Sequence, residues 1–406
     1  MQSCAGVCKI THNMRMTPPT LHAQALTAFD AKVHDTFAHV TGVWPDSQQW
    51  QQACRGFAYG GLGLRSAALH KEAAYLSSTA ASRELCHSID PDFRLEASVA
   101  GSPFADALQT FNAKLPADMR ITTDTVAGAS QKALSALLDN AGHATRLQSI
   151  CPSDQATLVS ECQDGAKDFW TAVPSKALGT AVPAAEFTVE IQYRLCMSQG
   201  SNVEASFCPL CDAVMDDRGH HCRQCNAGGD RTVRHNRARN EVYAFCCNKA
   251  GIHAELERAN LLLPARPHAI SSNRRPADVY LPSWHGGRPA ALDSAVTSPN
   301  QSLFVANFPK EALFAAKACS ETKRSHQNTA LECEQHGVSF IPMVAETSGA
   351  WSPEATLVFK HLAKKAASHV GGEAQEVQRI YRALLQKLAV VIRTANARAH
   401  LKRMGT

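Results

Sequence analysis

The chain has 406 residues, about two to three times an ordinary domain, so more than one folding unit is expected and a lone small module is excluded. Hydrophobic residues at 45% and charged residues at 19% exclude a disordered, collagen-like or fibrous chain. A formal net charge of +5 permits contact with nucleic acid without requiring it.

The opening MQSCAGVCKITHNMRM has no apolar core of a secretory signal, and no apolar run approaches the roughly 20 residues of a membrane span. A soluble protein of a reducing compartment is expected, in which the 15 cysteines act as thiols or metal ligands. Residues 1–95 read as a helical region. In LHAQALTAFDAKVHDTFAHVTG the residues Leu26, Phe29, Val33, Phe37 and Val40 recur at helical spacing and predict one apolar stripe ending near Gly42. GGLGLRS, Gly60 to Ser66, lacks the Gly-Lys-Ser/Thr of a phosphate loop and reads as a tight turn before the helical ALHKEAAYLSS. Residues 96–206 read as a helical connector, with SQKALSALLDNAG and PAAEFTVEIQYRL as its clearest helices. Its scattered carboxylates Asp164, Asp168, Glu186 and Glu190 read as solvated helix faces.

At residue 207 the composition changes to a dense Cys/His cluster, CPLCDAVMDDRGHHCRQC, and a knuckle region over 207–230 is expected. Cys208 and Cys211 have the spacing that lets two thiolates face one cation, and zinc takes four such N/S ligands in a closed tetrahedron when its role is structural. The preferred set is Cys208, Cys211, His221 and Cys225, because nine and three intervening residues let a short hairpin return the second pair. His220 in place of His221, or Cys222 paired with Cys225, remains open. Asp216 and Asp217 read as a solvated turn. Cys246 and Cys247 read as packing residues on a helix.

From 231 to 370 the expected elements are a helix over TVRHNRARNEVYAFCCNKAG, strands in ADVYLP, AALDSAVTS and VSFIPMVAET, and helices over KEALFAAKACSETKRSHQNTALECEQHG and ATLVFKHLAKKAASHV. A long amphipathic helix fills 371–406, with a basic end at Arg393, Arg398, Lys402 and Arg403. Arg231, Arg234, Arg237 and Arg239 fall within nine residues, and Arg234 is expected to approach a phosphate backbone. Asp278 begins one strand and Asp293 lies in the next, with 14 residues and a Gly-Gly turn between them. An antiparallel hairpin brings two such carboxylates together, and a divalent cation such as Mg2+ relieves their repulsion while activating water for phosphodiester hydrolysis.

These features in this order resemble the C-terminal half of non-LTR retrotransposon polyproteins that carry a restriction-like endonuclease. Such proteins have a reverse-transcriptase thumb, a connector, a CCHC zinc knuckle and a PD-(D/E)xK-type nuclease. The matching text is CPLC and HHCRQC for the knuckle, Arg234-His235-Asn236 for an RHN element, RRPAD and LDSAVTS for two nuclease motifs and KRSH for the lysine motif. Upstream, SCAGVCKITHNMRMTPP and FAYGGLGLRSAALHKEAAYLSS are similar to the region that follows the polymerase palm. The resemblance implies an α+β chain: a helical thumb and connector, the knuckle, and a small α/β restriction-endonuclease-like domain. It makes Asp278 and Asp293 ligands of a catalytic Mg2+ and Lys323 a displaced lysine that orients or activates the attacking water. Arg234, His235, Arg275 and His326 become nucleic-acid contacts beside a structural Zn2+. Target DNA and the element's RNA are the implied partners, in the nucleus, with nicked DNA priming reverse transcription. No palm motif with a YADD-like turn occurs in these 406 residues, so polymerase chemistry is expected to lie outside this chain.

Overall fold

The computed structural model describes residues 6–93, 101–199, 207–262, 274–305 and 311–405. The chain is α+β and divides into two compact units, Met1–Ile150 and Cys151–Thr406. The division falls inside the stretch read as one connector. SQKALSALLDNAG belongs to the first unit, whereas PAAEFTVEIQYRL and the long C-terminal helix belong to the second. The expected boundary near residue 95 lies outside the described residues.

Among its described residues the first unit has helices and no strands. Helix α1 (Ala23–Thr41) stops at Gly42, whose φ of 67° closes the helix in the left-handed region. Leu26 and Phe37 are buried, but Val40, expected on the same stripe, is 67% exposed. The core is built by α2 (Ala67–Ala81), α3 (Pro103–Ala113) and α4 (Gln131–Ser149) around Leu76, Phe104, Phe111, Leu134 and Leu138. Only Gly60 of the segment read as a tight turn lies in one; residues 61–66 are irregular backbone whose Gly61, Leu62, Gly63 and Leu64 amides donate to carbonyls of residues 53–56. Ser66 caps α2 by accepting from the Leu69 amide. A Cβ at Gly61 would lie 2.0 Å from the Arg55 carbonyl oxygen, so only glycine fits there.

The second unit is organised by one four-stranded sheet in the order β1 (Glu255–Leu256), β2 (Val279–Leu281), β3 (Ala290–Thr297), β4 (Ser339–Glu346). The first two pairings are antiparallel, and β3 runs parallel to β4. Among the described residues a short helix at Ser302–Val305, then α9 (Phe314–Ser325) and α10 (Thr329–Gln335), lie between β3 and β4, as a parallel pair requires of its crossover. The break between α9 and α10 falls at Gln327 and Asn328, both at positive φ. Upstream lie α5 (Pro152–Glu161), α6 (Ala184–Arg194), α7 (His220–Gln224) and α8 (Asp230–Asn248). Downstream lie α11 (Pro353–Ser368) and α12 (Ala374–Met404).

Side chains alternate across the strands and so sort onto two faces. Val279, Leu281, Ala290, Leu292, Met343 and Ala345 pack against α8, α11 and α12. Tyr280, Ala291 and Phe340 pack the other way, with Cys333 of α10 and Val338. Cys246 is fully buried in the first of these cores, as its reading as a packing residue expects.

The polar residues of this unit depart most from expectation. Asp168, Glu186 and Glu190 are 3%, 7% and 0% exposed rather than solvated, and only Asp164 keeps an exposed side chain. The basic end of α12 is likewise split. Arg393 and Arg403 are buried, while Arg398 and Lys402 reach solvent. Charges are almost never buried unless paired, and these pair with each other. Arg194, Glu161, Arg393, Glu190 and Arg223 form one alternating chain, with N–O distances of 2.6, 2.7, 2.7 and 2.8 Å. It ties α5, α6 and α12 to α7, the helix that carries the second half of the knuckle.

Candidate functional site

The knuckle comes together with the preferred ligand set. The ligand atoms of Cys208, Cys211, His221 and Cys225 all lie within 4.8 Å of one another. Cys208 Sγ is 4.0 Å from Cys225 Sγ, and Cys211 Sγ is 3.5 Å from Cys225 Sγ and 3.4 Å from His221 Nε2. A tetrahedron with Zn–S bonds of about 2.3 Å has edges of about 3.8 Å, so this donor set fits zinc. The other two candidates point elsewhere: His220 turns into the unit, edge-on to Tyr193, and Cys222 is buried with its thiol pushed up to about 11, chiefly by burial. Burial pushes the Cys208 thiol up as well. Hydrogen bonds from the Leu210 amide, His221 and Cys211 outweigh it and bring this thiol down to about 6, toward the thiolate that binds metal.

Asp216, expected to be a solvated turn residue, positions the second ligand pair. Its carboxylate accepts from the backbone amides of Arg218, His220 and His221 at 3.0, 2.8 and 2.6 Å. That orients the first turn of α7, and with it His221. The signal available in the sequence is an aspartate four residues before a short helix, a pattern shared by many caps and turns. Gly219 starts α7 at φ 73°, and a Cβ there would meet Gln199 Oε1 at 2.5 Å.

The carboxylate pair meets at the end of the β2–β3 hairpin. Val279 pairs with Leu292, which puts Asp278 and Asp293 next to each other one step along the ladder. By alternation both share the face of Tyr280 and Ala291, the side on which α10 packs. Lys323 comes from α9, and its Nζ is 2.7 Å from Asp293 Oδ2. Asp278 Oδ2 accepts the Ser294 amide at 2.7 Å, and its Oδ1 lies 3.3 Å from His235 Nε2. Four residues far apart in sequence thus form one constellation. Burial pushes the Asp293 carboxyl up to about 6; Lys323 opposes this, Asp278 adds to it and His235 opposes it.

The other residues expected to touch nucleic acid lie outside this constellation. Arg234 is 5% exposed and donates to the Arg223 carbonyl at 2.9 Å and to Asn396 Oδ1 at 2.6 Å. Consecutive helix residues turn by about 100°, so His235 reaches Asp278 while its neighbour Arg234 points inward. The expected open approach of Arg234 to a phosphate backbone is corrected to a buried, braced guanidinium. Arg275 is exposed and pairs with Glu257 at 2.8 Å, a carboxylate that also holds Arg239. His326 is exposed in the turn between α9 and α10.

Neither a protein-family model nor a curated protein matches this chain. Among the described residues no helix is long and apolar enough to cross a membrane.

Proposed function

We propose that the second unit is a magnesium-dependent DNA endonuclease of the restriction-like kind found in non-LTR retrotransposon proteins, with a zinc knuckle beside it. In this reading it nicks target DNA in the nucleus, and the freed 3′ hydroxyl primes copying of the element's RNA. The observation that carries it is the convergence of Asp278, Asp293, Lys323 and His235 at one end of a hairpin. Two adjacent carboxylates repel, and a protein that keeps them together has a use for a cation between them.

Asp278 and Asp293 are the residues that hold the metal. Bound there, magnesium supplies a Lewis acid for the scissile phosphate and lowers the pKa of a water. The Ser294 amide and His235 fix the plane of the Asp278 carboxylate, so it is oriented before any ligand arrives. Lys323 favours the ionised form of Asp293, and its ammonium is placed to orient water or share the charge of a phosphate.

Purified protein incubated with supercoiled plasmid and magnesium is expected to give nicked circles. Intact plasmid under conditions where DNA is bound would remove the cutting role. The pH dependence has a fixed sign. Cation binding needs the ionised Asp293, whose carboxyl sits at about 6, so nicking is present above that pH and lost as pH falls through it. Lys323→Gln removes the opposing positive charge and is expected to move this acid limb to higher pH. An unmoved limb would detach Lys323 from Asp293 in the mechanism.

A second reading, a zinc-stapled nucleic-acid-binding remnant without cutting activity, draws on one observation. Lys323 engages Asp293 directly, and both oxygens of Asp278 already face partners within the protein. Binding without nicking is its signature.

A further inference from the structure

A polar pocket of about 360 Å³ opens between the knuckle helix, the start of α8 and the segment that follows β3. Arg223 and Asn226 line it from the knuckle side, Arg231 and Arg234 from the first turns of α8, and Ser298 and Gln301 from the opposite wall. The described residues that line it include three arginines and no carboxylate. Arg223 and Arg234 are 1% and 5% exposed, yet the Nε of each and the Nη2 of Arg223 have no hydrogen-bond partner among the described residues. Buried donors without acceptors are expensive to keep. Asp230, the nearest acid along the chain, is turned away into pairs with Arg403 at 2.8 Å and Lys402 at 3.6 Å. Glu190 at 2.8 Å neutralises Arg223 from behind and the Tyr193 ring covers its plane, whereas Arg231 and Arg234 have no carboxylate among the residues that line the pocket. Repulsion from Arg231 and Arg223 adds to burial in pulling Arg234 down to about 9.

A concave site lined by arginines, with the exposed guanidinium of Arg231 at its mouth, neutral hydrogen-bonding walls and no acid, selects a phosphoryl group. The position gives the source. From Asp293, β3 reaches Val296 and then Ser298 at the pocket wall after three and five residues, about 10 to 17 Å at about 3.3 Å per residue, with Val296 turned to the α8 face of the sheet, opposite the two carboxylates. We propose that this pocket holds a backbone phosphate of the same DNA, about three to five nucleotides from the bond cut at Asp278 and Asp293, taking about 3.4 Å per nucleotide step. This rests on the endonuclease reading for its ligand, but not on cutting for its test.

The test is equilibrium binding of a 20-base-pair duplex in magnesium-free buffer over a range of salt, with Arg231→Ala, Arg231→Lys and Gln301→Ala. Arg231 is exposed, so its loss leaves the fold intact, and bound zinc serves as the control for folding. Arg231→Ala is expected to weaken binding several-fold at low salt and to reduce the slope of log affinity against log salt by about 0.9, the value for one phosphate contact. Arg231→Lys restores the slope. Gln301→Ala weakens binding without changing the slope, because it removes a neutral donor from the same pocket. Inorganic pyrophosphate is expected to compete with DNA on the unaltered protein and to compete less on Arg231→Ala. Unchanged affinity and slope in both alanine variants would overturn the proposal. Pyrophosphate binding with DNA affinity insensitive to the variants would overturn it too, by assigning the pocket to a small free anion. Because no cutting is read, a protein that binds in this way but never nicks would sink the nuclease reading alone.

Discussion

Removal of zinc, by chelation or by Cys208→Ser, is expected to unfold the first half of the knuckle while the sheet of the second unit stays folded. One equivalent of bound zinc should be measured in the unaltered protein and none in the variant. Little else holds the first half of this segment, residues 207–215, whereas Asp216, Arg218 and Arg223 tie the second half into the unit. Phe207, Leu210 and Val214 are 63%, 37% and 59% exposed, so the first half of the knuckle has almost no apolar core of its own. Its regular structure is a single bridge between Phe207 and Val214 and a turn in which the Cys211 and Asp212 amides donate to the Cys208 carbonyl. In small zinc modules the metal supplies about 10–16 kcal/mol of apparent binding free energy, which becomes folding free energy. Proteolysis should therefore move into residues 207–215 on chelation. A metal-free protein that remains resistant there would contradict the assignment of the four ligands.

Glu161→Gln is expected to destabilise the second unit by about 3–5 kcal/mol, the usual penalty for breaking a buried ion pair from one side. Glu161 is 0% exposed, and its carboxylate takes Arg194 at 2.6 Å and Arg393 at 2.7 Å. Those two guanidiniums lie beside aromatic rings, Arg194 over Trp170 and Arg393 over Phe169 and Trp170. The rings soften their burial but do not replace an anion. Burial pushes the Glu161 carboxyl up, and the two arginines more than reverse this, so it stays ionised at neutral pH. Urea denaturation read on the second unit checks the figure. Asp164→Asn serves as the comparison: the carboxylate of Asp164 is 52% exposed, so a change within about 0.5 kcal/mol is expected. Equal effects of the two substitutions would show that the buried chain of charges does not hold these helices together.

What is legible in the sequence is whatever local spacing encodes. The knuckle ligands follow from two short intervals and a hairpin return, and the β2–β3 hairpin from two strand-like runs around a Gly-Gly turn. The helix carrying Lys323 follows from its periodicity. The juxtaposition of Asp278 and Asp293 is one ladder step beyond the register of Val279 with Leu292, so a hairpin is enough to bring them near each other. What the sequence hides is long-range. Glu161 meets Arg393 across more than two hundred residues, and nothing in the local text of either shows that both are buried. A charged side chain on an amphipathic helix looks solvated until its partner is known, which is why Glu190, Arg393 and Arg403 are expected in water and found inside. Arg234 and His235 show the same limit at the site itself. Both sit in one basic run, but the helix turns one into the unit and the other toward Asp278.

Asp278 and Asp293 are proposed to act as one unit on one cation, and every step of the cutting reaction depends on it. The measurement that addresses this most directly is the rate of plasmid nicking in magnesium for Asp278→Ala, Asp293→Ala and the double variant. Each single substitution should abolish nicking, and the double should be no slower than either, because residues that act together are not additive. DNA binding and zinc content should remain as in the unaltered protein. Nicking that persists in either single variant would contradict a shared metal site at the end of this hairpin.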